Sequence, residues 1–263
     1  MKSIRSRFVV PLAAVLLAVL ACACATPNVP VSPPALSCLR VGFAPNYPPV
    51  CMNDEGGNPA GIEADFAVAL ADELGCPLEI VPMEFKNLFP ALLDGQVDIV
   101  MAGLTVTPSR AYKVRFCTPY LNNPLVAVSR VGWARTYPSS SHVLAASTFI
   151  GVLPHTTAES FVRRHCPRAR VVPVYNFDNV PQDIASHRYV IYVDDQAAVL
   201  DLAESHSDVL EIIPYPLQQQ EMAWAVHPDN AALLSAANAA LAKWKANGRL
   251  DAVLDHWLPG RIR

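Results

Sequence analysis

The chain has 263 residues, a length that suits one or two domains with a real core. Its formal net charge is −3 and no basic cluster stands out beyond Arg163 and Arg164, so nucleic acid is a poor candidate partner. Hydrophobic residues make up 52 %, a figure inflated by an apolar N-terminal run and many alanines.

Residues 1–24 read as a secretory signal. Lys2, Arg5 and Arg7 precede an apolar stretch over 9–21, and small residues follow at Ala21, Ala23 and Ala25. The stretch is too short and wrongly flanked to span a membrane. Val19-Leu20-Ala21-Cys22 resembles a bacterial lipobox, in which a lipid-modified Cys22 becomes the first residue. Ala21-Cys22-Ala23 or Ala23-Cys24-Ala25 would instead serve an ordinary signal peptidase. Losing three basic and no acidic side chains lowers the net charge from −3 to −6. Residues 25–37 carry Pro27, Pro30, Pro33 and Pro34 and read as an extended tether, which suits a lipid anchor. No later apolar run is long enough to cross a membrane.

The remaining chain alternates strands and helices. Strands are predicted over 39–43, 78–83 and 97–102. Between them fall a helix over 62–74, closed by Gly75, and a helix over 87–94, closed by Gly95. Thr107 is a good N-cap and Pro108 falls at the first helical position, which puts Arg110 in the first turn of the next helix. A cation there is misplaced against the helix dipole unless an anion joins it. Thr105, Arg110 and the strand end together make a carboxylate cradle; the plainer reading is a surface arginine paired with an acid. A strand over 125–129 breaks the alternation. A second α/β run follows, with strands over 147–153, 171–175, 189–193 and 210–214 and helices over 157–166, 179–186 and 196–205. A strand over 221–226 and helices over 231–246 and 250–257 finish the chain. The pattern implies an α/β fold with parallel sheet.

Setting aside Cys22 and Cys24 leaves Cys38, Cys51, Cys76, Cys117 and Cys166. An exported chain meets an oxidising compartment. Cys38 and Cys76 each precede a predicted strand; as parallel neighbours those strands would start close enough to bridge. Cys51–Cys117 is a weaker alternative, and buried free thiols compete with both. No cysteine or histidine spacing suggests zinc or another metal, and no cofactor is implied.

Leu39-Arg-Val-Gly42, Tyr47-Pro-Pro49, Gly61-Ile-Glu-Ala-Asp-Phe66, Phe85-Lys-Asn-Leu-Phe-Pro-Ala-Leu92, Gly95-Gln-Val-Asp-Ile99, Ala102-Gly-Leu-Thr-Val-Thr-Pro-Ser-Arg110 and Phe116-Cys-Thr-Pro-Tyr120, in this order and spacing, resemble the bacterial extracellular solute-binding proteins, family 3. Weaker matches run on to Trp257. The resemblance implies a two-lobed periplasmic-binding-protein (Venus flytrap) fold with two crossing hinge strands, near Leu125 and Gln218. It implies lobe 1 over 38–122 and 220–263, and lobe 2 over 124–218. It implies a monomer that captures a small amino-acid-like zwitterion by hinge closure and delivers it to the membrane subunits of an ABC importer. It would act in the periplasm or at the extracytoplasmic membrane surface.

The resemblance also implies a site. Arg110 clamps the ligand carboxylate, helped by the Thr105 hydroxyl and the Gly103 and Thr105 N–H groups. Tyr47 and Phe85 flank the ligand, Asp194 binds its ammonium, and Thr157 offers its N–H from a helix start. Tyr47 and Phe85 could be core aromatics, Thr105 and Thr157 turn or cap residues, and Asp194 or Asp195 an N-cap. Relatives that take cationic amino acids often carry an acid where this chain has Ala44, which argues against lysine or arginine. Ala102 and Gly103 replace serines, and His155 replaces a glycine, so the pocket reads as less polar. Two other functions stay open: a ligand sensor without transport, and a cyclohexadienyl dehydratase, for which Asp194, Asp195 or Glu63 would be the general acid, although no second catalytic element is visible.

Overall fold

The computed structural model describes residues 36–259. The signal, Cys22 and the tether up to residue 35 lie outside the described residues. Among the described residues no helix is long and apolar enough to cross a membrane.

The strands are Leu39–Phe43 (β1), Met52–Asn53 (β2), Pro59–Ala60 (β3), Leu78–Pro82 (β4), Ile99–Val100 (β5), Arg115–Phe116 (β6), Leu121–Asn122 (β7), Leu125–Arg130 (β8), Phe149–Val152 (β9), Arg170–Pro173 (β10), Ile191–Asp195 (β11), Leu210–Gln218 (β12), Glu221–Met222 (β13) and Ala225–Val226 (β14). They form two five-stranded sheets, ordered β4-β1-β5-β14-β6 and β10-β9-β11-β8-β12. In each sheet three adjacent strands run parallel, joined by helical crossovers; the fourth, β14 or β8, runs antiparallel to them, and the outermost, β6 or β12, runs antiparallel to the fourth. Each sheet has its own apolar packing, so the chain is a two-lobed α/β protein.

The helices follow from their sequences. Ile62–Leu74 buries Phe66, Ala69 and Leu70 on one stripe against the first sheet. Gly75, at φ 67°, ends it in the left-handed region, and the N–H groups of Gly75 and Cys76 close on Asp72 O and Ala71 O. Phe66 packs with Tyr120, Trp224 and Trp244 at centroid distances of 5.4 to 5.9 Å, which welds the returning C-terminal segment to the first lobe.

Several elements differ from expectation for local reasons. The strand expected over 97–102 pairs only at Ile99–Val100, because Gly103, at φ 62°, turns the chain out of the sheet. The helix expected from residue 87 opens with a 3₁₀ turn, Phe85–Asn87. The strand expected over 221–226 changes partners midway. β13 pairs with β7, the Ala223 N–H bonds to Leu104 O, and β14 pairs with β5 and β6.

The two lobes are joined by segments that run side by side. β7 and β13 form a short antiparallel ribbon, continued by the Asn123 N–H to Gln220 O bond of 2.8 Å. Leu125 and Gln218, near which the crossings are expected, pair with each other at the end of the second sheet, beside the ribbon. Pro124, which has no N–H to donate, separates the ribbon from that sheet.

Candidate functional site

The site is assembled where strand ends of the two sheets face one another beside the ribbon. An open cleft of about 1160 Å³ lies there, lined by Arg110, Thr105, Thr157 and Gln220.

Thr107 caps the single-turn helix Pro108–Ala111 as its sequence indicates, accepting the Arg110 N–H at 3.3 Å, with Pro108 at its start. The Arg110 side chain turns back along its own loop. Nη1 donates to Thr105 O at 2.9 Å, and the guanidinium lies over the rings of Phe85 and Phe89, 5.5 and 5.9 Å from their centroids. Burial lowers the Arg110 pKa, and the charge that opposes this is Asp195, from the other lobe. A half-buried guanidinium on aromatic rings, with donors to spare, is built to receive a planar anion.

Gly103 sits beneath Tyr47. A Cβ at Gly103 would lie 2.6 Å from the Tyr47 ring, so no larger residue fits without moving that ring. Its N–H is already committed to Glu63 Oε1 at 2.7 Å. Gly103 therefore contributes space rather than the carboxylate donor that the resemblance implied. Glu63 is fully buried and also accepts the Tyr120 hydroxyl and the Trp224 indole N–H, both at 2.8 Å. Burial pushes its pKa up to about 7 against the pull of these three donors.

The second lobe contributes two acids from the end of β11. Asp194 is 4 % exposed, and both its oxygens have donors: the Tyr192 hydroxyl at 2.5 Å and the Asp195 N–H at 2.9 Å. Asp195 is 8 % exposed and reaches the first lobe, where Oδ2 accepts the Tyr47 hydroxyl at 2.8 Å. Its Oδ1 is buried without a partner. Burial raises both pKa values, and the Asp194 charge raises that of Asp195 further. Asn123, in the crossing segment, donates to the Tyr47 hydroxyl at 3.1 Å and accepts the Ala197 N–H at 2.9 Å.

A third link between lobes runs through Gln220 of the returning segment. Its Oε1 accepts hydroxyls from Thr105 and Thr157, both at 3.2 Å. Thr157 opens the helix Thr157–His165, whose N-cap is the preceding Thr156. His155 adopts φ 64°, the left-handed region open to the glycine expected there, and donates its N–H to Glu159 at 2.7 Å.

Arg110, Phe85 and Thr105 thus lie together in the first lobe, and Tyr47, packed over Gly103, meets Asp195 of the second lobe. Thr157 lines the cleft from the second lobe, while Asp194 is bonded within that lobe. Sequence reasoning missed Asn123 and Gln220, which sit in connecting segments without periodic pattern, and gave Asp195 no contact across the cleft. Its general-acid candidate Glu63 faces inward, both oxygens held by first-lobe donors, and does not reach the cleft.

The chain is similar to L-cystine-binding protein TcyJ of Escherichia coli (strain K12), 28 % identical over 222 residues, 83 % of this chain and 82 % of that protein. It is 26 % identical to ABC transporter arginine-binding protein 1 of the same organism over 225 residues, 84 % of this chain and 90 % of the relative. The crystal structure of the ancestral amino acid-binding protein AncCDT-1, a precursor of cyclohexadienyl dehydratase, superposes with a TM-score of 0.77 at 28 % identity, covering 84 % of this chain and 95 % of that one. The family model for bacterial extracellular solute-binding proteins, family 3, matches residues 39–260. With two α/β lobes, paired crossing segments and opposed charges across the cleft between them, the chain belongs to the bacterial extracellular solute-binding proteins, family 3.

Proposed function

We propose that this protein captures a free amino acid between its lobes and presents it, closed, to the membrane subunits of an ABC importer. The observation that carries this is the opposition of charge: the half-buried Arg110 guanidinium on one lobe, the buried Asp194–Asp195 pair on the other. A zwitterion carries the complementary pair on adjacent atoms. A buried charged ligand needs each charge matched, so both lobes must close on it. The ligand carboxylate goes to Arg110 with the Thr105 and Thr157 hydroxyls nearby. The ammonium goes to the acid pair, and Tyr47 and Phe85 wall the side chain. Closure follows because the ligand touches both lobes only in the closed form.

The proposal includes lobe 1 as residues 38–122 with 220–263 and lobe 2 as 124–218. It includes export through the signal over 1–24, with Cys22 lipidated and the Pro-rich segment as tether, and a monomer at the extracytoplasmic membrane surface. It also includes a Cys38–Cys76 disulfide. In the structure both are free thiols, and the register Leu39↔Leu78 brings the chain ahead of each together. Closing that loop would add about 4 kcal/mol of stability.

The test is thermal unfolding of the exported protein, unfolded and refolded to strip bound solute, against L-amino acids, dicarboxylates and prephenate. An amino acid at a hundredfold excess over its Kd adds about 2.7 kcal/mol. The proposal expects such a shift with at least one amino acid and its loss in Arg110→Ala. No shift with any amino acid, or turnover of prephenate, overturns it.

A further inference from the structure

We propose that the end of the second lobe opposite the cleft is a membrane-docking surface, which takes the anionic headgroups of a phospholipid bilayer. This rests on the reading that the exported chain works at a membrane surface, and it holds whichever solute the cleft takes.

Charge is divided unevenly along the chain. Residues 130–177 hold six arginines and a single acid, Glu159, whereas residues 25–129 and 178–263 together hold 22 acids against 11 lysines and arginines. Glu159 itself is paired with Arg163 at 2.9 Å. The arginines stand apart in sequence, so no long basic run shows there, and the fold gathers them.

β10, β9 and β11 run parallel, and β11 ends at Asp195, which meets Tyr47 across the cleft. The first residues of these strands therefore lie at the other end of the sheet. Arg170 opens β10 and is the register partner of Phe149, which opens β9; its guanidinium lies 5.6 Å from the centre of that ring. Phe149 O accepts the Val190 N–H just ahead of β11. Antiparallel β8 brings its last residue, Arg130, to the same end. There Arg130 Nη1 donates to His187 Nε2 at 3.3 Å, and His187 packs on Trp133 at 5.7 Å. Adjacent strands lie about 4.8 Å apart, so the row from Arg170 to Arg130 spans about 15 Å. Arg130, Arg168 and Arg170 are all exposed. Of the acids at this end, Asp183 is paired with Arg188 at 2.9 Å, and Glu211, on the β12 side, accepts the Gly132 and Ala134 N–H groups.

The side chains among these cations choose the partner. Phe149, Trp133 and Val131 are 43, 40 and 45 % exposed. A row of arginines alone would take any polyanion. Apolar and aromatic side chains set between them fit a partner with an apolar layer beneath its charge, which is a bilayer: guanidinium to phosphate, indole and phenyl at headgroup depth. A second copy of this chain, docked by the same face, would bring cations against cations. A protein already held near a bilayer needs little affinity of its own to lie on it. Docking by this end leaves the cleft at the other end of the sheet free.

The experiment is co-sedimentation of the exported protein, carrying Cys22→Ser so that no acyl chain contributes, with vesicles of phosphatidylglycerol and of phosphatidylcholine. At low salt the protein sediments with the first and not the second, and added salt weakens the binding. Arg130→Gln, Arg168→Gln and Arg170→Gln combined lower the vesicle affinity roughly a hundredfold, while thermal shifts with amino acids stay as in the parent. A second readout reports depth. Phosphatidylglycerol with brominated acyl chains quenches part of the tryptophan fluorescence, and Trp133→Phe abolishes that quenching, because the other three tryptophans lie in the returning first-lobe segment. No binding to phosphatidylglycerol, equal binding to both lipids, a triple variant that binds like the parent, or quenching that survives Trp133→Phe each overturn the inference. Binding to heparin as tight as to phosphatidylglycerol, without quenching by the brominated lipid, makes this a general polyanion surface and overturns it too. An amino-acid panel that gives no thermal shift fails the solute reading above and leaves these vesicle results to decide the docking surface alone.

Discussion

Glu63 and Asp195 are both buried carboxylates, one in each lobe, and they are treated in opposite ways. Glu63 gathers a backbone N–H, a phenol and an indole, all from the first lobe. Asp195 has one side-chain donor, lent by the other lobe, and an oxygen with none. A carboxylate saturated inside its own lobe keeps its surroundings when the lobes part. One whose partner sits across the cleft loses that partner on opening, so its energy depends on lobe position and on what lies between. In the proposed function the first belongs to folding and the second to recognition.

The largest test of that contrast is Glu63→Ala. It strands three buried donors, from Gly103, Tyr120 and Trp224, and should destabilise the protein by about 3–5 kcal/mol, read as a lower urea midpoint. A loss under about 1 kcal/mol would mean that the Glu63 network is not holding the first lobe together.

Next in size is a pH effect at the same residue. The folded pKa of about 7 lies above the ordinary glutamate value, so between them the folded state holds a proton that the unfolded state has lost. Stability from this group is fully present below about pH 4.5 and declines by about 3 kcal/mol as pH rises through 7. Asp194 and Asp195, also raised, tilt the curve the same way. Urea midpoints from pH 4.5 to 8 should fall for the parent protein and flatten in Glu63→Gln. An unchanged slope in the variant would remove Glu63 from the account.

How much of this was legible beforehand follows the range of each interaction. The helix Ile62–Leu74 and the Thr107–Pro108 cap are local, and their bounds can be read from side-chain period, a glycine and a proline. The adjacency of β1 and β4 follows from strand–helix–strand order. Glu63 reads as one acid in the first turn of an amphipathic helix, because the groups that bury it come from residues 40 to 161 positions away. Asp194 and Asp195 fall on opposite faces of β11, so period alone cannot say which meets the cleft. Tyr47, 148 residues earlier, decides it. Motif reading located the Thr107–Pro108 cap and the helix start at Arg110 because both are local. It was weakest at Asp195, whose contact is made between lobes.

A smaller effect is expected at the floor between the two acids. Gly103→Ala puts a methyl 2.6 Å from the Tyr47 ring at a backbone φ of 62°, and the ring must move. The cost should be about 1–3 kcal/mol in stability. Because Tyr47 carries the hydroxyl bonded to Asp195, amino-acid affinity should fall as well. The measurement is a urea midpoint together with calorimetric affinity. Lost stability with unchanged affinity would show that the Tyr47–Asp195 contact is dispensable for binding.

The smallest expected change has the opposite sign. Asp195→Asn keeps an oxygen for the Tyr47 hydroxyl and removes a carboxylate that burial and the adjacent Asp194 both hold in a disfavoured state. At pH 8 the ligand-free protein should gain about 1 kcal/mol, read as a higher urea midpoint. At pH 5 the parent carboxyl already carries its proton, so the gain should shrink toward zero. Asp194→Asn should show a smaller gain, because two donors from its own lobe partly offset the burial that raises its pKa. If Asp195→Asn instead destabilises as strongly as a Glu63 substitution, at both pH values, then Asp195 is structural, and the division between a folding acid and a recognition acid does not hold.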